Sequence, residues 1–344
     1  MSLHSSFHRS QQIRDFTFHS RKGDSTEMES SQKKPLYHII NGVRIPKSFS
    51  PKCFQEAMNY KPTPDDVIIV TYPKCGTTWM QNIALYIYRK GRELEDPKDF
   101  FKMAPFIDNV GQAGIDNMPR PGTLKTHLPY NLMPYSPDAK YIFVVRDPRD
   151  CCVSLYYHTR NMMKFNYWDA TFDDFFEIFM RGEVEYNDYY DHLLSLYPHR
   201  NDSQVFFTKY EDMKKDRRKV VIELAKFLGR EYIEAIENDN SVLNNILTFT
   251  SFEYLQKNLS PIFSSSFNKV PDANGEELSE SKKQLKKVME SLSPPENLPK
   301  FQFIRKGIVG DWHNHFSPEQ IERFTAKFNE RTKGTEIQEW YPMK

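Results

Sequence analysis

The segment Val67-Ile68-Ile69-Val70-Thr71-Tyr72-Pro73-Lys74-Cys75-Gly76-Thr77-Thr78-Trp79 carries more information than any other part of this 344-residue chain. Its β-branched beginning is typical of a strand that is buried on both faces. Pro73 and Gly76 interrupt the strand, and apolar side chains at helical spacing follow them. We therefore predict a strand, a tight loop and a helix for which Thr77 and Thr78 supply hydroxyl caps.

This loop has the features of an anion site. The free N–H groups and the dipole at a helix N-terminus favour a bound anion, and Lys74 adds a cation within the loop. The loop differs from the nucleoside-triphosphate pattern G-x-x-x-x-G-K-[ST], because its lysine precedes its only glycine. The segment alone is also compatible with an ordinary connection in which Lys74 is solvated.

A second cation follows a second predicted strand. A run of aromatic and β-branched residues ends at Arg146, and Asp147 and Pro148 then form a predicted N-cap and first helical residue. Ser154 lies about two helical turns further along, so it can reach the same anion as Arg146. We expect Arg149, by contrast, to be solvated.

A third basic segment, Arg305-Lys306-Gly307-Ile308-Val309-Gly310-Asp311-Trp312, places two cations before a glycine. Glycine lets the backbone approach a ligand closely. A basic pair is usually a solvated surface feature, but three such segments beside strand ends or helix starts indicate one shared anionic ligand.

Together these motifs resemble the cytosolic sulfotransferases, which transfer a sulfuryl group from 3′-phosphoadenosine 5′-phosphosulfate (PAPS) to small hydroxylated acceptors. Tyr72 to Trp79 is similar to the family's 5′-phosphosulfate loop, in which serine is more common than cysteine at the position of Cys75. Arg146 and Ser154 match its 3′-phosphate pair, and the third basic segment matches its C-terminal signature. Lys125-Thr126-His127-Leu128-Pro129 matches the segment that carries its catalytic histidine.

The resemblance implies a role for individual residues. His127 would be the general base, Lys74 would neutralise charge on the bridging oxygen, and Lys125 would add positive charge beside the transferring group. PAPS would be bound by Lys74, Cys75, Gly76, Thr77, Thr78, Trp79, Arg146, Ser154, Tyr210, Thr250, Phe252, Arg305, Lys306 and Gly307. The acceptor would contact Phe106, Lys125 and His127.

The chemistry implied is in-line transfer through a loose transition state, as in phosphoryl transfer. A sulfuryl group carries less negative charge than a phosphoryl group, so a lysine can suffice where kinases use magnesium, and no carboxylate motif here demands a metal.

Two alternative functions stay open. A nucleoside-phosphate kinase is disfavoured by the missing triphosphate loop, and a catalytically silent nucleotide-binding module is disfavoured by the intact Lys74 and His127. Phenol, sterol, aliphatic alcohol and amine acceptors all stay open.

Composition limits the classes of partner and compartment. Lys and Arg number 47 against 46 Asp and Glu, a formal net charge of +1, so no global field favours nucleic acid or a membrane surface. No apolar run approaches about 18 residues and no signal-peptide pattern is present. Four cysteines without a C-x-x-C pattern fit a reducing compartment. We therefore expect a cytoplasmic protein.

The order of motifs predicts an α/β fold: a single three-layer domain with a central parallel sheet and helices on both faces. Strands are expected near 67–71, 141–145 and 205–208, and an amphipathic helix over 214–229. Residues 1–33 are predicted to be a disordered extension. The sulfotransferase domain would span 34–344, with a mobile insertion at about 259–300 that contains one charged helix near 280–291.

One segment departs from the resemblance. Many relatives pair through the pattern Lys-x-x-x-Thr-Val-x-x-x-Glu, whereas this chain has His313, Ser317, Pro318 and Glu322 at those positions. Only the glutamate is kept, and Pro318 lacks a backbone N–H. We predict a monomer or weak homodimer. In the alternative interpretation, Ser317 simply caps a helix that begins at Pro318.

Overall fold

The computed structural model describes residues 33–272, 277–296, 298 and 301–343, so the predicted N-terminal extension lies outside the described residues except for Lys33. The strands are β1 Tyr37–Ile40, β2 Val43–Pro46, β3 Val67–Val70, β4 Leu124–Thr126, β5 Lys140–Val145 and β6 Val205–Lys209. The helices are α1 Pro51–Asn59, α2 Thr77–Tyr88, α3 Phe100–Met103, α4 Ile107–Asp116, α5 Pro148–Asn161, α6 Phe172–Met180, α7 Tyr189–Leu196, α8 Tyr210–Lys215, α9 Arg217–Leu228, α10 Arg230–Asn238, α11 Asn240–Phe249, α12 Phe252–Asn258, α13 Ser260–Phe267, α14 Glu280–Glu290, α15 Pro318–Thr332 and α16 Ile337–Trp340.

A parallel four-stranded sheet in the order β4-β3-β5-β6 forms the centre of the fold. Successive residues of β3 point to opposite faces: Ile68 and Val70 belong to one apolar core, whereas Val67 and Ile69 belong to another. Helices α5, α6 and α15 contribute to the first core, and α2, α9 and α11 contribute to the second. The predicted α/β sheet with helices on both faces is confirmed.

The parallel register brings the carboxyl ends of all four strands to the same edge. Val70 of β3 pairs with Thr126 of β4 on one side and with Phe143 of β5 on the other. The loops that leave β3, β4, β5 and β6 therefore start side by side, and such an edge is where open parallel sheets bind ligands.

Two expectations about secondary structure need correction. The three-residue strand β4 was not predicted, because its alternating pattern is too short to be distinguished from a loop. The predicted helix over 214–229 is divided: α8 ends at Lys215, and the Asp216 carboxylate accepts the Lys219 backbone N–H to start α9. Asp216 has non-helical dihedral angles, φ of −147° and ψ of 78°, so the same residue ends α8 and begins α9.

The expectation that Arg149 is solvated is wrong. Its side chain is buried and forms an ion pair with Asp147 at 2.6 Å. The guanidinium also lies 4.2 Å from the centroid of the Trp312 ring. The adjacent carboxylate and the ring replace water around the charge, which is why this cation tolerates burial.

The C-terminal segments follow local sequence signals. Helix α14, Glu280–Glu290, matches the charged helix predicted within the insertion, and α13 is an additional helix there. Ser317 caps α15, in which Pro318 is the first residue and Gln320 completes a capping box. This is the alternative interpretation of that segment, in which its residues serve a helix start.

Asp188 joins two helices and should matter for stability. Its carboxylate caps α7 by accepting the Tyr190 backbone N–H at 2.7 Å, and it also accepts from Lys327 and Arg331 of α15. Replacing Asp188 with alanine should lower the free energy of unfolding by about 1–3 kcal/mol, because a cap and charge-assisted hydrogen bonds are lost. Urea unfolding measures this change.

The matched control is Asp191→Ala, since Asp191 pairs with the same Arg331 but its side chain is 70% exposed. An exposed pair contributes little, so this variant should differ from the wild type by about 0.5 kcal/mol or less. Equal unfolding midpoints for the two variants would contradict the assignment of Asp188 as a helix tie.

Candidate active site

A cavity of about 570 Å³ opens at the carboxyl edge of the sheet. Most of the residues singled out from the sequence line it: Lys74, Gly76, Thr77, Thr78, Trp79, Phe106, Lys125, His127, Arg146, Ser154, Tyr210, Arg305, Lys306 and Gly307. Cys75, Thr250 and Phe252 do not line it. The three basic segments, which are far apart in sequence, therefore share one cavity.

The loop between β3 and α2 has the conformation of an anion cradle. Gly76 is the N-cap of α2 and adopts a left-handed conformation with φ of 97°. Among the described residues, no oxygen accepts a hydrogen bond from the backbone amides of Gly76, Thr77 or Thr78. These donors, together with Lys74, fit a phosphate or sulfate group.

The expectation that Thr77 and Thr78 cap this helix by their hydroxyls is wrong. Both residues lie within the first turn of α2, and no side chain caps the helix. The Thr77 hydroxyl instead lies 2.6 Å from the Thr71 hydroxyl. The left-handed Gly76 makes the turn, so the helix begins without a hydroxyl cap.

The neighbours of Gly76 restrict what this loop can contain. A Cβ atom on Gly76 would lie 2.8 Å from Cδ2 of Tyr210, closer than side chains tolerate. Cys75 is buried, and its Sγ lies 3.9 Å from Sγ of Cys151 and away from the cavity. Only the backbone of Cys75 can therefore contribute to an anion site.

Arg146 connects the first loop to the C-terminal segment. Its guanidinium donates to the carbonyl oxygens of Lys74 and Ile308, both at 3.1 Å, and lies 4.2 Å from the Tyr210 ring centroid. Its Nε is buried and has no protein partner among the described residues. Ser154 lines the same cavity from α5.

Two carboxylates hold the C-terminal basic segment in place: Asp150 binds its backbone, and Asp311 binds its two cations. Asp150 accepts the backbone N–H groups of Gly310 and Trp312 at 2.7 and 3.1 Å. Asp311 accepts from Arg305 at 2.5 Å and from Lys306 at 2.6 Å. These contacts orient both cations at the cavity before any anion arrives.

Thr250 and Phe252 support the lining residues from behind. The Thr250 carbonyl accepts the indole N–H of Trp79 at 2.9 Å, and the Trp79 ring contacts Tyr210 edge-on at 5.5 Å. A Cβ atom on Gly307 would lie 2.5 Å from the Phe252 ring, so that ring and the glycine backbone are in close contact. These two residues therefore orient the walls of the cavity.

His127 directly follows β4 and is held in one orientation. Its Nδ1 lies 2.7 Å from the carbonyl oxygen of Thr71, and since a carbonyl only accepts, Nδ1 carries the proton. Its ring lies between the rings of Phe106 and Tyr186, with centroids 4.9 and 5.2 Å away. Burial, with a smaller effect of Lys125, holds the pKa of His127 well below its ordinary value. Nε2 is therefore an unprotonated base at neutral pH.

Two half-buried lysines share the cavity with this histidine. Burial lowers the pKa of both Lys74 and Lys125 to about 8. The Lys74 ammonium lies 3.4 Å from Nδ1 of His158, and the Lys125 ammonium lies 4.4 Å from the Phe106 ring centroid. An anion in the cavity would stabilise both charges.

Four polar residues of the site were not found from the sequence: Asp108, His158, Lys164 and Glu185. Asp108 accepts the His127 backbone N–H at 3.0 Å and the Tyr186 hydroxyl at 2.8 Å, and burial raises its pKa to about 6. The other three line the cavity. No motif surrounds them in the sequence, where an isolated charge indicates a solvated surface.

The described part of the chain has neither a metal-binding cluster nor a membrane-spanning helix. No cluster of three or more His, Cys, Asp or Glu side chains there is suited to holding a metal ion. Likewise, no described helix combines the length and apolar character needed to span a bilayer.

Comparison with known proteins gives consistent similarities. The family model described as Sulfotransferase domain matches residues 64–336. Human Sulfotransferase 1E1 is 33% identical over 309 residues, which cover 86% of this chain and 93% of that protein. Rabbit Amine sulfotransferase is 32% identical over 288 residues, covering 82% and 85%.

A solved structure is similar over nearly the same range. The crystal structure of mouse sulfotransferase SULT7A1 complexed with PAP has a TM-score of 0.64 and 25% sequence identity. The similarity covers 88% of this chain and 96% of that one.

The cradle geometry predicts the effect of adding one methyl group. Gly76→Ala should weaken binding of adenosine 3′,5′-bisphosphate by about tenfold or more, because the new Cβ must displace either Tyr210 or the loop, and about 1.4 kcal/mol suffices for a factor of ten. Titration calorimetry measures this affinity.

Gly42→Ala is the control for backbone strain. Gly42 also has a positive φ, 78°, but a Cβ atom there would meet nothing within 4 Å. Both variants should lose stability, and only Gly76→Ala should lose nucleotide affinity. Equal affinities for the two variants would contradict the cradle.

Proposed function

Since this chain belongs to the sulfotransferase family and is a PAPS-dependent enzyme that acts on a small-molecule acceptor, we propose that the acceptor reacts through a hydroxyl group deprotonated by His127. The observation that carries the proposal is the hydrogen bond from Nδ1 of His127 to the Thr71 carbonyl. It leaves Nε2 as the proton acceptor within a cavity that Lys74 and Lys125 also line.

Lys74 would act on the leaving group. When bound, PAPS supplies an activated sulfuryl group whose departure leaves negative charge on a phosphate oxygen. The ammonium of Lys74, in the loop before α2, would balance that charge. Lys125, two residues before His127, would balance charge on the sulfuryl oxygens. A fixed cation is more effective in a cavity that excludes water than in solvent.

The remaining lining residues would hold the nucleotide. We assign the backbone amides of Thr77 and Thr78, together with the Thr78 hydroxyl, to the 5′-phosphate. Arg146, with an unpartnered Nε, would bind the 3′-phosphate together with Ser154 and the Arg305-Lys306-Gly307 segment. Trp79 and Tyr210 would stack on adenine, with Trp79 held by the Thr250 carbonyl and Phe252 packed against Gly307.

The cavity wall around His127 supports an acceptor with an aromatic or apolar body. Phe106 contacts the histidine ring, Phe49 contacts Phe106 edge-on at 5.5 Å, and Phe263 and Phe303 are stacked at 4.1 Å nearby in the lining. Such walls favour flat apolar molecules. Phenols and sterols therefore fit better than small aliphatic amines.

The direct test is incubation of the protein with radiolabelled PAPS and a panel of phenols, sterols, alcohols and amines. Transfer of label to a hydroxyl of a phenol or sterol is the expected result. Transfer to amines alone would contradict the proposed acceptor class, and no transfer at all would support a silent nucleotide-binding module.

We also propose a cytoplasmic location, supported by the four cysteines, all of which are free and buried. A monomeric or weakly dimeric state is supported by the replacement of the relatives' pairing pattern. Ser317 and Pro318 are used to begin α15 rather than to form an extended segment.

His127→Ala should lower kcat by about 10²–10⁴-fold, the usual contribution of a general base, with adenosine 3′,5′-bisphosphate binding retained. His199→Ala is the control, because His199 stacks on Tyr130 and does not line the cavity. Loss of activity in His127→Ala only in proportion to loss of folded protein by circular dichroism would contradict this role.

In the wild type, kcat/KM should stay near its plateau as the pH falls through about 6.5, because the lowered pKa keeps His127 unprotonated.

Lys74→Ala should lower kcat by about 10²–10³-fold, since one preorganised cation at developing charge is removed. Binding of adenosine 3′,5′-bisphosphate should change little, because that nucleotide lacks the transferring group. Lys90→Ala, which removes an exposed lysine paired with Glu231, is the control and should be close to wild type. Near-normal turnover by Lys74→Ala would rule out the assigned role.

Sedimentation velocity at micromolar concentration measures the proposed assembly. The expected result is a species near 40.8 kDa, or a dimer that dissociates on dilution. A dimer that persists on dilution would mean that other surfaces associate this chain.

A further inference from the structure

The acceptor side of the cavity contains a buried ammonium, which is unusual in a wall made largely of aromatic rings. Lys164 is 5% exposed, and its Nζ lies 4.9, 5.1 and 5.4 Å from the ring centroids of Phe49, Phe165 and Phe267. Phe49 contacts Phe106, which in turn contacts His127. Lys164 therefore lies beyond the aromatic rings that border the proposed base.

This ammonium has no hydrogen-bond acceptor and no ion pair among the described residues. Burial lowers its pKa to about 8. Three faces of phenyl rings provide some cation–π attraction, but they leave its N–H donors unused. Lys164 lines the cavity, so an oxygen atom of a ligand there can accept a hydrogen bond from its ammonium.

A buried carboxylate faces the same space. Glu185 is 4% exposed, and burial raises its pKa to about 7, with Lys164 the strongest opposing charge. Its Oε1 lies 3.5 Å from Nε2 of His158, and no ion pair joins it to Lys164. Glu185 therefore interacts with Lys164 through space, as it does with Lys74 and Lys125, and no direct contact in the described part of the chain neutralises the Lys164 ammonium.

We propose that Lys164 and Glu185 form a subsite for a second hydroxyl group of the acceptor, an inference that rests on the proposed function. A hydroxyl accepts a hydrogen bond from an ammonium and donates one to a carboxylate with the same oxygen atom. A carboxylate at this place would be attracted by Lys164 but repelled by Glu185, and an amine would be attracted by Glu185 but repelled by Lys164, so only a hydroxyl suits both groups. The acceptor class is thus a diol, with one hydroxyl at His127 and a second hydroxyl between Lys164 and Glu185.

The test uses pairs of acceptors that differ in the second hydroxyl alone. The probes are 4-alkylphenols and the corresponding 4-(ω-hydroxyalkyl)phenols of graded chain length, with the ω-carboxyl and ω-amino analogues as further arms. For each probe, kcat/KM with PAPS is measured, and affinity for the enzyme saturated with adenosine 3′,5′-bisphosphate is measured by calorimetry. At the chain length that spans the cavity, the hydroxylated probe should be preferred by about tenfold to a hundredfold, as expected for hydrogen bonds to charged groups.

Two variants assign that preference to the subsite. Lys164→Met keeps the length of the side chain without the charge, and it should reduce the preference to nearly one. Lys164→Gln keeps a donor and should retain part of it, which also covers the case in which the methionine variant folds poorly. Lys102→Met, at an exposed lysine paired with Asp99, is the matched control and should keep the full preference.

The outcomes separate the subsite from the proposed function. Sulfation of both members of every pair with equal kcat/KM and equal affinity would contradict the subsite but would agree with the proposed phenol acceptor. Preference for the ω-carboxyl or ω-amino probe would also overturn it. If no phenol is sulfated, the proposed acceptor class fails, and the calorimetric preference still decides whether Lys164 and Glu185 recognise a hydroxyl.

Discussion

Parallel pairing of four short strands is the constraint on which the rest of this structure depends. Because β3 pairs with β4 on one side and β5 on the other, and β5 pairs with β6, every strand ends at the same edge. The residues that immediately follow the strands include Thr71, His127, Arg146 and Tyr210. A base, a cation and an aromatic ring thus reach one cavity without any long-range adjustment, since backbone hydrogen bonds hold the strand ends in register.

The same edge concentrates charge in a place that excludes water. Lys74, Lys125 and Lys164 all have pKa values lowered to about 8 by burial, whereas that of Glu185 is raised to about 7. These shifts mean that the folded protein bears the cost of desolvating its cations, which an anionic donor and a polar acceptor would offset. The sulfuryl donor used by this family carries the matching negative charge, so binding and chemistry draw on the same buried groups.

Much of the fold was predictable because its signals are local. The apolar runs before Thr71 and Arg146 define buried strands, and Asp147 with Pro148 marks a helix start that the structure has in the same place. Strand β4 was missed, since three residues carry too little pattern. Arg149 was misjudged for a different reason: its burial depends on Asp147 and Trp312, and the ring of Trp312 comes from a segment more than one hundred and fifty positions away.

The sequence by itself determined the family, and it predicted the anion-binding loop and the residues proposed for the donor, because glycine, proline and basic residues at fixed spacing act within one turn of chain. The tertiary structure decided which nitrogen of His127 is free to accept a proton. That depends on the carbonyl of Thr71, at the end of the neighbouring strand, accepting the hydrogen bond from Nδ1. It also decided that Lys164 and Glu185, which have no surrounding motif, share a cavity wall. Burial and charge pairing are properties of neighbours in space, and neighbours far apart in sequence leave no local pattern to recognise.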